Sequence, residues 1–272
     1  MLRASNSAIM SKPQPGRGPK DPDSATRAEN PEEEELSTDE RRISLRVKVP
    51  AEEGTAVVEM TGSAVPEIGL QAFGDWVLAA LEQHADGAAE AARLMIAALR
   101  ERHWDGDDVL ADQFDALLGS SAMPDLRPLP VDLDELVGIT EGDPMYGGGR
   151  VDLATGEVWP APAVDYAREI GQEDEDESDD PDKWLWVHCE GSRDGYRDME
   201  LFIGTVRDPG CADRLEIAIS GRGAFRRFKD VLARWPGELD RWYAFSAERQ
   251  RGRARAWLAG AGYYVRKGLP PS

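Results

Sequence analysis

Cysteine is almost missing from this chain. Cys189 and Cys211 are the only two, too few for the disulfide framework of a small secreted protein, so free thiols in a reducing, cytoplasmic setting are expected. Histidine is as scarce. His84, His103 and His188 stand far apart and no Cys-x-x-Cys occurs, so no metal site is expected. No run approaches the roughly 18 apolar residues that cross a bilayer, and no membrane partner is expected. Met1 to Met10 has no apolar core and does not read as a secretory signal; Met10, followed by Ser11-Lys12-Pro13, is as good a translation start as Met1. Also lacking are a Gly-x-Ser-x-Gly elbow and a glycine loop ending in Lys-Ser or Lys-Thr. Gly147-Gly148-Gly149 precedes a strand, the wrong context for a phosphate loop. His188 and Cys189 are neighbours on an expected strand, so they point to opposite faces and cannot pair. No catalytic residue and no cofactor is assigned on these grounds.

Negative charge is what the chain has in excess. Its 272 residues carry 52 Asp and Glu against 32 Lys and Arg, a formal net charge of −20. That balance favours solubility and opposes binding to nucleic acid or anionic lipid. Residues 1–41 combine Pro, Gly and Ser with the run Glu32 to Glu35, and read as a disordered acidic tail. Eight of the ten residues from Glu173 to Asp182 are acidic, which reads as a disordered, solvated loop. Its faint likeness to a calcium loop fails for want of the central glycine and the distal glutamate.

Between these segments the hydrophobic pattern predicts an α+β chain. Ile43, Leu45, Val47 and Val49 alternate with polar residues, and Thr55 to Met60 returns as the second strand of a hairpin. Helical spacing follows over Gly69–Gln83, Ala88–Arg102 and Asp107–Leu118, so 42–118 is expected to be a small hairpin-plus-helices domain. Three prolines within 119–130 mark a linker, and 131–267 is expected to be a second α+β domain with a small antiparallel sheet and packed helices, before a tail at 268–272. In that second domain Asp132 can cap a short helix. Arg150–Leu153 and Glu157–Trp159 form a hairpin turning at Gly156, and Trp184–Cys189 is a strand. Ala224 to Trp235 is the clearest helix, Trp242–Phe245 a short strand, and Ser246 the cap of a last helix.

The second domain holds a basic lobe. From Asp213 to Lys267 thirteen Arg and Lys face six Asp and Glu, a net of +7, which leaves −27 for the rest. Within it Gly221, Arg222 and Gly223 lead into a helix carrying Arg226, Arg227 and Lys229. Unpaired N–H groups and the dipole at a helix start favour an anion, and Arg222, Arg226 and Lys229 project to one side. These six residues are the anion-binding candidates.

The block Ala218-Ile219-Ser220-Gly221-Arg222-Gly223-Ala224-Phe225-Arg226-Arg227-Phe228-Lys229-Asp230-Val231-Leu232 resembles uncharacterised protein family 0158 of bacteria. Trp242-Tyr243-Ala244-Phe245, Ala256-Trp257-Leu258, Val151-Asp152-Leu153-Ala154-Thr155-Gly156-Glu157-Val158 and Asp198-Met199-Glu200-Leu201-Phe202-Ile203 are similar to other family segments. The resemblance spans about residues 130–267. It departs at Gly147–Arg150, where tyrosines are usual, and at Leu201, which replaces an acidic residue. It implies an α+β domain and a bacterial origin, and it brings no activity with it.

Three functional readings remain open. The first is a non-enzymatic binding or regulatory module whose basic helix start meets an acidic protein segment or another anionic ligand, nucleic acid being disfavoured by the acidic remainder. The second is an enzyme on a phosphorylated or carboxylated small molecule, with Asp152, Glu157, Asp198 or Glu200 as acid or base. The third assigns the arginines to ion pairs that hold the domain to its neighbour.

Overall fold

The computed structural model describes residues 43–51, 54–62, 69–122, 125–141, 145, 147–171, 180–189 and 191–266. The expected tails and most of the acidic run lie outside these residues. Of that run, Asp180 to Asp182 fall inside, where the Asp180 carbonyl accepts from the N–H groups of Lys183 and Trp184.

The chain is α+β. Strands β1 (Ile43–Ala51) and β2 (Gly54–Gly62) pair antiparallel, with Ile43 opposite Gly62. Helices α1 (Leu70–Glu82), α2 (Ala88–Arg102) and α3 (Asp107–Leu117) then bury one stripe each, and Val77, Met95, Leu99, Leu110 and Phe114 form their common core. Strand β3 (Arg127–Leu129) lies within the segment read as a linker, and pairs parallel with β7 (Tyr263–Val265) near the end of the chain. Asp132 caps α4 (Leu133–Thr140), accepting from the Asp134 N–H at 2.7 Å.

A three-stranded antiparallel sheet follows, in the order β5 (Val158–Pro160), β4 (Gly149–Asp152), β6 (Trp184–Val187). Helix α5 (Ala161–Glu169) connects β5 to the acidic run. Arg150 is fully buried in this sheet, its guanidinium 3.7 Å from the centre of the Trp184 ring and 5.6 Å from that of Trp159. Helices α6 (Arg193–Ile203), α7 (Pro209–Ile219) and α8 (Ala224–Leu232) pack on the start of α9 (Pro236–Gly260). Phe202, Phe228, Trp242 and Phe245 meet there at ring separations of 4.8 to 6.2 Å, mostly edge to face.

Helix α9 corrects the expectation at its own N-terminal half. Trp242 to Phe245 is helical rather than a strand, and Ser246 is mid-helix rather than a cap. Leu239, Trp242 and Phe245 recur at the helical step and face α6 and α8, while Tyr243 and Ala244 are exposed. The C-terminal half carries buried charge. Arg255 is 1% exposed; its Nε donates to Gln71 Oε1 at 2.7 Å and its Nη2 to Asp75 Oδ1 at 2.5 Å. Arg251 Nη2 donates to the other Asp75 oxygen at 2.8 Å, and Glu248 accepts from the Gln71 N–H and from Arg102. Burial alone would raise the Asp75 pKa, but Arg255 and Arg251 outweigh it and hold the carboxyl below the usual range. All described residues fall within one compact unit.

Candidate functional site

The glycines at the start of α8 behave as the turn requires. Gly221 and Gly223 have φ of 84° and 75°, and Gly223 is the N-cap of the helix. The four cations around them have separate surroundings. Arg227 Nε donates to the Ala218 carbonyl at 2.9 Å, its Nη2 to those of Ser220 and Gly221 at 2.8 and 3.2 Å, and its Nη1 to that of Arg222. It thereby satisfies carbonyls left over at the end of α7 and in the following turn. The Arg226 side chain is 90% exposed and its Nε is 3.9 Å from the Asp230 carboxylate. Arg222 and Lys229 are exposed and have no ion pair among the described residues.

Of the six candidates, Lys229 lines a groove. A groove of about 910 Å³ runs between the start of α6, the outer face of α8 and the first half of α9. Phe225, Trp242 and Tyr243 form its apolar wall, and Phe225 and Tyr243 are 38% and 52% exposed. Gly195 allows this shape, because a methyl there would press to 3.0 Å on the Phe225 ring. Ser192, Ser246 and Gln250 supply neutral polar groups, and Glu141 lies at the edge of the same groove.

Glu141 belongs to a buried ionic cluster that the sequence did not reveal. Arg253 Nε donates to its Oε1 at 2.7 Å, and Gln250 Nε2 stands 3.5 Å from Oε2. Arg253 Nη1 also donates to Asp198 Oδ2 at 2.8 Å, while Asp198 Oδ1 accepts from Arg249 Nε at 3.0 Å. Burial pushes the Glu141 pKa up and the Asp198 charge adds to this, more than Arg253 lowers it. A smaller chamber of about 280 Å³, bordered by Arg197, Arg249 and Arg253, shares Glu141 with the groove.

The four carboxylates considered for acid–base work are elsewhere. Asp198 is 1% exposed and held by Arg249 and Arg253. Asp152 accepts from the N–H groups of Ala154 and Thr155, both at 2.8 Å, in the β4–β5 turn. Glu157 and Glu200 are exposed, and none of the four lines the groove. No ion pair joins any of them to Arg222 or Arg226 among the described residues. No group of three or more His, Cys, Asp or Glu able to hold a metal ion occurs among the described residues, and no helix there is long and apolar enough to cross a membrane.

Comparison with known proteins agrees with the resemblance read from the sequence. Residues 151–266 match the model of the uncharacterised protein family UPF0158. A UPF0158 protein of Pseudomonas aeruginosa is 29% identical over 139 residues, which cover 49% of this chain and 84% of that relative. No solved structure matches significantly.

Proposed function

With residues 151–266 assigned to the UPF0158 family, we propose that this chain is a binding module for an amphipathic anion, held in the groove between α6, α8 and α9. The observation that carries this reading is the position of Lys229 beside Phe225, Trp242 and Tyr243 in one cavity. Ligand sites are concave, largely apolar, about 300–1,000 Å³ in volume, and orient their occupant with a few polar groups. An aromatic or aliphatic body lies on Phe225 and Tyr243. A carboxylate, sulfonate or phosphate on it meets the Lys229 ammonium, and Ser192, Ser246 and Gln250 offer further hydrogen bonds. Arg222 and Arg226, exposed at the outer end of the helix start, add to the local positive field that draws the anion in.

Binding is favoured over catalysis because Glu141, the carboxylate that lines the groove among the described residues, is committed to Arg253. The anion is held beside Lys229, the cation that lines the groove.

Titration with anilinonaphthalene sulfonate, an aromatic sulfonate that fluoresces when sheltered from water, tests the reading. Wild-type protein should bind it saturably. Lys229→Gln and Tyr243→Ala should each weaken it about tenfold, worth about 1.4 kcal/mol, while Arg266→Gln, remote from the groove, should not. Equal binding by all four proteins would reject the groove as the site.

A further inference from the structure

A second cavity, of about 320 Å³, opens between α1, α3 and β7. Leu78, Leu81, Leu117 and Val265 give it apolar walls, and Asp75 and Gln113 line it as well. Those two side chains are almost fully buried, at 4% and 3% exposure.

Arg255 fixes both of them. Its Nη2 donates to Asp75 Oδ1 at 2.5 Å and its Nη1 faces Gln113 Oε1 at 3.5 Å. A guanidinium has only donors, so the Gln113 amide must turn its oxygen toward Arg255. The Nε2 amine, with no hydrogen-bond partner among the described residues, is then the donor that Gln113 offers to the cavity. Asp75 Oδ2 is used twice by Arg251, at 3.2 and 2.8 Å. Among the described residues Oδ1 accepts only from Arg255, and it keeps a lone pair. A donor and an acceptor thus stand side by side on one guanidinium fork, beneath a leucine-lined space.

We propose that this cavity binds a small planar molecule with a primary amide, or the equivalent lactam edge of a heterocycle. The carbonyl oxygen of the ligand accepts from Gln113 Nε2, its N–H donates to Asp75 Oδ1, and its ring lies against Leu78, Leu81 and Leu117. The volume is at the lower end of the range for small-molecule sites, about 300 Å³. A carboxylate of the same shape is rejected, because it would offer Asp75 only acceptors and a second negative charge. The edge of the cavity, where Arg266 Nε approaches Glu82 at 3.3 Å, is charge-balanced and adds no pull on an anion.

Benzamide and benzoate are a matched pair of probes, followed by ligand-observed nuclear magnetic resonance and by calorimetry. Benzamide should bind the intact chain, and benzoate at least about tenfold more weakly, a difference of about 1.4 kcal/mol. Gln113→Glu keeps an acceptor for Arg255 and removes the donor, and should cost benzamide about tenfold or more. Leu117→Trp fills the cavity from its exposed side and should abolish binding; it also decides the matter if the first variant fails to fold. Anilinonaphthalene sulfonate binding in the groove should be unchanged in Leu117→Trp. Absence of benzamide binding, equal binding of benzoate, or full affinity in Leu117→Trp would each overturn the proposal.

Discussion

Gly106 and Gly252 meet backbone to backbone: a methyl group on Gly106 would run into the Gly252 carbonyl, and one on Gly252 into the carbonyl of Asp105. This contact draws α9 against the start of α3, and Arg249, Arg251 and Arg255 reach their partners along the same helix.

Gly252→Ala therefore sets two effects against each other. Helix propensity favours alanine by about 1 kcal/mol, whereas forcing a methyl into backbone costs about 1–3 kcal/mol or more. The clash involves a carbonyl that cannot swing away, so net destabilisation is expected. A urea midpoint lower than that of the wild type, at unchanged slope, is the measurement that checks it.

Asp75→Asn leaves Arg251 and Arg255 without their shared counter-charge. Removing one partner of a buried pair costs about 3–5 kcal/mol, and a loss of that size should appear as a lower thermal midpoint. The native Asp75 pKa is depressed, so its contribution is complete above the ordinary value of 3.8 and disappears as pH falls through the native one. The stability gap between wild type and Asp75→Asn should accordingly be widest near neutrality and narrow below that value.

Arg227 and Arg226 are adjacent in sequence and should differ in kind. Arg227→Ala frees the carbonyls of Ala218 and Ser220 and should cost about 1 kcal/mol. Arg226→Ala, on an exposed side chain with only a long contact to Asp230, should stay within about 0.5 kcal/mol of the wild type. Paired chemical denaturation curves distinguish them.

Glu141 makes anion binding in the groove depend on pH. An ionised Glu141 repels an anion, and a protonated one does not. Because its pKa is raised above 4.5, affinity for anilinonaphthalene sulfonate should rise as pH is lowered through the native value, toward 4.5. Glu141→Gln should flatten this dependence, and a slope equal to the wild type's would count against it.

Much of the fold was readable because its signals are local. The period-two hairpin of β1 and β2, the apolar stripes of α1 to α3 and α8, and the Asp132 cap each depend on a few neighbouring residues. The start of helix α9 is misread because Trp242-Tyr243-Ala244-Phe245 is a short, continuously apolar run, which by itself fits a strand as well as a helix. Beyond it the inward face carries Glu248, Arg249, Gly252 and Arg255, so no apolar stripe joins that run to the helix that follows. The net charge of the basic lobe conceals the same pairs: Arg249, Arg251, Arg253 and Arg255 count toward its excess of cations, yet each is paired with a carboxylate inside the fold. Asp198 was singled out, but its two arginines were not foreseeable from spacing. Glu141 gave no local signal at all, being a single acidic residue after a short helix. Lys229 was selected as one of a cluster of cations; its distinction from Arg227 arises only from tertiary packing.

The groove as an anion site is tested most directly by photolabelling with azidobenzoate, an aromatic carboxylate small enough to enter it, followed by peptide mapping. Label should concentrate on peptides containing Phe225–Lys229 and Trp242–Gln250, fall when anilinonaphthalene sulfonate competes, and fall again in Lys229→Gln. Label spread over the surface, or unchanged in that variant, would contradict the account.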